Sequence, residues 1–416
     1  MKIIYFTAEF PGQTHIFLWR EYQELLRIGI DVHIVSTRAP PVGMNSFSWS
    51  AQARKDTDYL YPFSFSDCWG VAVAMLRCPR RRLKKIFGVI FCTGNLTVRD
   101  RMLLIVHLFL ATKMVKLVAY ENATHIHCTT CAATANIALF NHLLSGTPYS
   151  LSLLGPRLET YGTNQANKWR YASFSLFQSI KLLRETRESI PDSIPDLHAF
   201  APVGVNTEIV CRDVPYQAWT PNSTVRLYCC GRLNPVKGHE YVIQAVRRLI
   251  DRGYQVSLKI GGEDAEMGRG YRKVIESEIE HNQLQDCVTL LGAVSEEENI
   301  LQYSDAHVYV MGSLDEAAGA VAAMEAMAME VPVVMTDAGA NSELIDNGID
   351  GLLVEVKNAD ALANAIEHLL NNPEEAERLG CSGRSKVQEK FNHHLSARAI
   401  ADFLTKTQKL KSVPNR

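Results

Sequence analysis

The sequence predicts an α/β protein built from two Rossmann-like, doubly wound parallel-sheet domains that face each other across a cleft. Three observations carry that expectation. The chain has 416 residues, more than one hydrophobic core commonly organises. Short apolar, β-rich runs alternate with amphipathic helical stretches, the pattern of strands joined by helical crossovers. The theme then restarts after a proline-punctuated stretch near the middle, so it is laid down twice.

The first theme opens with Lys2 to Thr7, whose middle, Ile3 to Phe6, is continuously apolar as a buried parallel strand requires. The loop Phe10-Pro11-Gly12-Gln13-Thr14 leads into a helix with Leu18, Tyr22, Leu25 and Leu26 on one face. Gly29 closes that helix, and Asp31 to Thr37 reads as the next strand. The second theme begins at Val225 to Cys230 and passes the loop Gly231 to Gly238. It continues through a helix presenting Val242, Ala245, Val246, Leu249 and Ile250, then returns as a strand at Gln255 to Ile260. Later strands are predicted at Val288 to Leu291, His307 to Met311, Val331 to Met335 and Gly351 to Val354. A helix aligning Leu362, Ala365, Ile366, Leu369 and Leu370 falls after them. Pro191, Pro195, Pro202, Pro215 and Pro221 mark the boundary region, which places the domains at 1–203 and 204–392. The last helix, about 393–416, is expected to pack back on the first domain. Open α/β sheets bind ligands beyond the carboxyl ends of their strands, so the loops there are the places to look.

Composition removes several classes. A hydrophobic fraction of 47% and a charged fraction of 21% fit a soluble globular protein. A formal charge of -2 supplies no field to attract nucleic acid. Ten cysteines without a regular frame read as reduced thiols of a cytosolic protein. The stretch His125-Ile126-His127-Cys128-Thr129-Thr130-Cys131 has no second Cys/His pair at ligand spacing. It reads as a strand end and helix start, and no metal or other cofactor is expected. The amino terminus enters a strand at once, without the order of segments in a signal peptide. The longest apolar runs, Val71 to Leu76 and Met102 to Leu110, fall short of the roughly 18 to 20 residues that cross a bilayer. A cytoplasmic location is therefore expected, with any membrane contact peripheral, at the inner face of the plasma membrane. Arg77 to Lys85 holds six cations in nine residues, flanked by Val71 to Leu76 and Val89 to Phe91. Cations beside apolar residues suit an anionic membrane surface, and the alternative is a solvated helix face covering the core.

Two segments carry chemistry. In Gly231-Arg232-Leu233-Asn234-Pro235-Val236-Lys237-Gly238, two glycines permit close backbone approach and two cations stand five residues apart before a helix. Together with the positive helix end this makes a phosphate cradle, without the Gly-x-x-x-x-Gly-Lys-Ser/Thr order of a Walker loop. The second runs from Ser313 to Pro332: an acidic loop, then the small residues Gly319-Ala320-Val321 opening a helix, where a diphosphate can reach bare N–H groups. A carboxylate there can accept from sugar hydroxyls, and Glu325 can point at a ribose. The first loop has only Gly12 and no Gly-x-Gly-x-x-Gly, which argues against a nicotinamide oxidoreductase or a nucleotide-sugar epimerase.

These two segments resemble the donor-binding half of the retaining family 4 glycosyltransferases of the GT-B fold. Gly231-Arg232 with Lys237-Gly238 resembles that family's diphosphate clamp, and Glu316 to Glu325 followed by Ala326-Met327-Ala328 its paired-glutamate signature. Gly292-Ala293-Val294-Ser295, Thr336, Gly339, Glu343-Leu344-Ile345 and Gly351-Leu352-Leu353-Val354 add matches in order. Phe10-Pro11 with Phe17 and Glu21 is similar to members that make bacterial surface polysaccharides. The resemblance implies a metal-independent transferase moving a sugar from a nucleotide diphosphate sugar to a carbohydrate or lipid-linked glycan. It implies Arg232, Lys237 and Glu316 as catalytic residues, and Gly12, Gly231, Val294, Gly319, Ala320, Val321 and Glu325 as donor contacts. Three departures stand out. Eight residues separate Glu316 from Glu325 where the family usually has seven, and one added residue rotates the remainder of a helix by about 100°. Leu154 occupies the place of a common histidine. Glu330 replaces a common glycine before the next strand, which predicts a different turn. The first two departures motivate a second reading: a nucleotide-sugar-binding homologue with weak or no transferase activity.

Overall fold

The computed structural model describes residues 1–12, 15–40, 49–62, 65–94, 96–264 and 268–412, so Gln13 and Thr14 of the first loop lie outside the described residues. The chain divides into two compact units, Met1–Val203 with His393–Arg416, and Gly204–Asn392.

The first unit is a seven-stranded parallel sheet. Its strands are β1 (Lys2–Glu9), β2 (Asp31–Arg38), β3 (Thr57–Tyr59), β4 (His125–Cys128), β5 (Tyr149–Leu153), β6 (Ser175–Phe177) and β7 (His198–Phe200). Their order is β3-β2-β1-β4-β5-β6-β7. The chain winds outward from β1 and then starts again at β4 on its other side, so the switch point lies between β1 and β4. Gly12 sits in the loop leaving β1 there, its N–H donating to His15 Nδ1 at 3.0 Å.

Polar side chains inside this sheet satisfy one another. Ser150 Oγ lies 2.8 Å from both His125 Nε2 and His127 Nδ1, and Ser152 Oγ lies 3.0 Å from His127 Nε2. Burial pushes His127 down to about 3, so the ring stays neutral. This stretch, weighed above as a metal site, is thus committed to serine partners. Below the sheet Tyr5 donates to Glu21 at 2.6 Å, and burial raises that carboxyl. Ala397, Ile400, Phe403 and Leu404 of the helix His394–Ser412 join Ile3, Tyr5, Leu18 and Leu25 in one apolar cluster. Leu154 packs half-buried at its edge.

The apolar run at Met102 to Leu110 proves to be part of a longer element, the 23-residue helix Val98–Tyr120. By length and composition alone it is long and apolar enough to cross a membrane, which corrects the expectation that no segment approaches that size. His107 breaks the run in the sequence, but burial pushes that imidazole down to about 4 and leaves it uncharged. Leu104, Leu108, Ala111, Met114 and Val118 bury one side of the helix in the unit.

The helix Gln165–Arg170 buries Lys168 completely, and its Nζ donates to the carbonyls of Cys131 (2.8 Å) and Tyr161 (3.2 Å). Those carbonyls belong to the loops leaving β4 and β5, which the lysine ties together. Desolvation pushes its ammonium from 10.5 down to about 7. The unfolded chain keeps that proton to about 10.5, so between these values the unfolded state binds the extra proton and rising pH stabilises the fold. The melting temperature of the wild type should therefore gain on that of Lys168→Met between about pH 7 and pH 9. Parallel curves would show that the amine stays charged when buried.

The second unit is a six-stranded parallel sheet of β8 (Val225–Cys230), β9 (Val256–Gly261), β10 (Val288–Gly292), β11 (Val308–Met311), β12 (Val333–Thr336) and β13 (Leu352–Val354). The order β10-β9-β8-β11-β12-β13 puts its switch point between β8 and β11. Val242, Ala245, Val246 and Leu249 of the helix His239–Asp251 pack into its core, as their 3.6-residue spacing predicts. Glu330 corrects one expectation. Its φ of 58° is the left-handed conformation a glycine would take, so the turn is kept and the side chain extends toward Arg384, 3.6 Å away.

Candidate functional site

The site is built where β8 and β11 end. After β8 the chain forms Gly231 to Asn234, a single turn at Pro235–Lys237, and the helix His239–Asp251. Gly238, at φ 57°, faces the backbone of Gly312 just past β11 so closely that a Cβ on it would overlap the Gly312 carbonyl. Leu314 N–H then donates to the Val236 carbonyl at 2.7 Å. Two loops from neighbouring strands are thereby clamped backbone to backbone.

That clamp brings Lys237 Nζ to 2.6 Å from Glu316 Oε1, though the two lie 79 positions apart in sequence. Ser313 Oγ donates to the same oxygen at 2.7 Å. Both charged side chains are mostly covered, with 18% exposure for Lys237 and 11% for Glu316. The carboxylate loop is fixed from the far side as well. Ala340 N–H donates to the Glu316 carbonyl at 2.7 Å, and Thr336 Oγ1 donates to that of Ser313 at 2.5 Å. An ammonium has three donors, and this pairing with Glu316 occupies one of them. His239, next to the lysine, is fully buried and pushed to about 4 by burial and by the Lys237 charge, so it adds no second cation.

The remaining predicted residues surround this pair to different degrees. Gly231 donates its N–H to Gly261 across the sheet at 2.9 Å. A Cβ there would stand 3.7 Å from the Lys237 stem. Arg232 comes next, exposed, and takes no part in the Lys237–Glu316–Ser313 group. Gly319 and Ala320 lead from Glu316 into the helix Val321–Ala328, whose amino end no side chain caps. Its first N–H groups therefore have no side-chain acceptor from the cap position, as an anion site would require. Val294, half-buried past β10, packs against Gly261. Glu325 lies in the second turn of the helix, buried, with the Tyr303 hydroxyl 3.3 Å from its Oε2. Gly12 belongs to the first unit. Sequence reasoning gave no role to Ser313, because a serine three residues before a carboxylate is ordinary in any loop. Replacing it by alanine removes one donor from Glu316, and we expect a loss of turnover of about fivefold together with a stability loss of about 1 kcal/mol, read from a melting curve beside the rate. Wild-type steady-state rates would show that the hydroxyl does not orient the carboxylate.

One group of metal-capable side chains occurs among the described residues: Glu24, His393 and His394 in the first unit. The Glu24 carboxylate already accepts from Arg27 at 2.6 and 2.7 Å and lies 2.8 Å from His394 Nδ1. It serves to anchor the last helix to the first.

Solved structures share this architecture over nearly the whole chain. A glycosyltransferase from Rickettsia africae superposes with a TM-score of 0.73 at 16% identity, covering 98% of each chain. Anabaena Alr3699/HepE, solved with UDP and glucose, gives 0.72 at 16% identity, covering 98% of this chain and all of that one. At such identity the likeness defines the fold, which is GT-B.

The sequence then narrows the class. Residues 220–386, within the second unit, match the family described as glycosyl transferases group 1. Over 187 residues the chain is 30% identical to the amylovoran biosynthesis glycosyltransferase AmsK of Erwinia amylovora, covering 43% of this chain and 44% of that protein. It is 31% identical over 166 residues to the capsular polysaccharide biosynthesis glycosyltransferase CapM of Staphylococcus aureus, covering 40% and 42%. The matched part thus spans less than half the length of either relative.

Proposed function

We propose that this protein is a retaining glycosyltransferase that moves a sugar from a nucleotide diphosphate sugar to a carbohydrate or lipid-linked glycan, in the synthesis of a surface or extracellular polysaccharide. The observation that carries the reading is the Lys237 ammonium held at the switch point of the second sheet by Glu316, whose same oxygen accepts from Ser313 and whose loop leads into the helix Val321–Ala328, which has no side-chain cap. Names of the relatives in polysaccharide synthesis support the process, and the UDP and glucose bound to the Anabaena protein support the donor class.

In this reading Lys237 and Arg232 neutralise the charge that grows on the leaving diphosphate, joined by N–H groups at Gly319 to Val321. Glu316 accepts from hydroxyls of the donor sugar. Gly231 and Val294 shape the nucleotide's seat, Glu325 faces the ribose, and Gly12 is a further donor contact. Two fixed cations and a helix end perform the task a divalent ion has elsewhere, so no metal takes part.

The test is a thermal-shift screen against nucleoside diphosphates and their sugars, followed by donor turnover with glycan acceptors in excess chelator. A ligand at 100 times its Kd raises stability by about 2.7 kcal/mol, a readily measured shift. No shift with any nucleotide would overturn the proposal. Binding without turnover on any acceptor would favour a nucleotide-sugar-binding protein instead.

A further inference from the structure

A second surface, wholly within the first unit, leaves apolar side chains uncovered. Phe87 ends the helix Arg80–Phe87 and stacks on Phe91 with ring centroids 6.0 Å apart, both rings about half exposed. Arg101 Nη1 donates to the Ile90 carbonyl at 2.6 Å, which sets the turn Gly88–Cys92 beside the start of the helix Val98–Tyr120. There Val98, Met102, Leu103, Ile105 and Val106 are exposed, Met102 at 63%, while the opposite side of the same helix is in the core. Residues 98, 102 and 105–106 obey helical spacing, so the exposed groups form one stripe.

Cations frame the stripe. Arg77, Arg80, Arg81 and Lys84 are exposed on the preceding segment, and Arg99 is exposed within the stripe itself. From Val71 to Arg99 the sequence contains no aspartate or glutamate, and Asp100 is engaged in a capping box with Thr97. A patch with large exposed apolar groups and charge of one sign costs free energy in water, and it matches a layer whose surface is anionic and whose interior is apolar.

We infer that this face docks the protein on an anionic lipid surface, with the apolar stripe entering the headgroup boundary and the arginines and lysines meeting lipid phosphates. The helix Val98–Tyr120 lies along the interface, because its other side is committed to the unit's core. The inference goes beyond the transferase reading and stands without it, since every residue it uses lies outside the second unit.

The experiment is flotation of the full chain with vesicles of phosphatidylcholine alone or with about one-third phosphatidylglycerol. The protein should float with the anionic vesicles and stay behind with the neutral ones, and added salt should release it. Arg80→Gln, Arg81→Gln and Lys84→Gln combined should weaken vesicle affinity on the order of 100-fold, at about fivefold per cation. Met102→Ser with Val106→Ser should weaken it too, and unchanged melting temperatures and nucleotide shifts in both variants would confirm intact folding. No flotation, equal binding to both vesicles, or undiminished binding by the charge variant would overturn the inference. So would a concentration-dependent dimer, lost in the serine variant, that forms without vesicle binding.

Discussion

Lys237→Ala is expected to lower donor turnover by about 10² or more, the loss typical of removing a preorganised charge partner from a transition state. The structure sharpens what else should happen. Lys237 is the partner Glu316 holds at 2.6 Å, so its removal leaves a carboxylate that is only 11% exposed facing the Ser313 hydroxyl alone. Stranding a mostly covered charge destabilises the fold as well. A melting curve must therefore accompany the rate. Lys237→Ala combined with Glu316→Gln relieves the stranded charge and should recover stability without recovering rate. Recovery of both would make the lysine a structural partner and remove it from the chemistry. Arg232→Ala offers the contrast, because its side chain is exposed and outside the group. In that variant turnover should fall by a comparable factor with no change in melting temperature, and a wild-type rate would leave Lys237 as the sole protein cation of the proposed site.

The kind of residue at each place decides how much of the fold and site is legible in the sequence. Strands β8, β11 and β12 are nearly continuous apolar runs, β9 sets Val256, Leu258 and Ile260 at alternate positions, and Gly231, Gly238 and Gly319 punctuate the loops between, so the second sheet and its loops can be read directly. In the first unit β4 and β5 carry His125, His127, Ser150 and Ser152. Their polarity is cancelled only by pairing across the sheet, which a one-dimensional pattern does not show. The strands β6 and β7 have three residues each, too few to display a period, and β7 lies inside the proline-rich stretch. His107 misleads in the same way: a histidine breaks an apolar run on paper, yet burial keeps it neutral within one helix. At the site, Lys237 and Glu316 can each be named from motif and chemistry. Their direct pairing cannot, because it depends on how closely two backbones approach. Glu330 shows the converse, since a residue with a Cβ fills a left-handed turn that glycine usually takes.

Gly238→Ala is expected to disable the site as thoroughly as loss of the lysine, by a different route. The φ of 57° at Gly238 is one that alanine can adopt at a cost of about 1 kcal/mol, so conformation alone predicts a mild variant. Space predicts otherwise. The new Cβ would overlap the Gly312 carbonyl oxygen, a backbone atom at the end of β11 that no side-chain rotation can move aside. The mirror contact, from Gly312 to the Gly238 carbonyl, is also too tight for a Cβ, so neither loop can yield without separating from the other. Separation by even an ångström breaks the 2.6 Å pair between Lys237 and Glu316 and the 2.7 Å bond from Leu314 to Val236. The expected result is a melting temperature lowered by several degrees, from a loss of about 1–3 kcal/mol, with turnover down by about 10² because a displaced charge no longer meets the leaving group. Gly253→Ala supplies the control, since its φ of 95° is also left-handed but its Cβ would meet nothing within contact distance. If the two alanine variants lost stability equally and both kept their rates, the strain would be conformational alone, and the backbone clamp would have no part in placing the lysine.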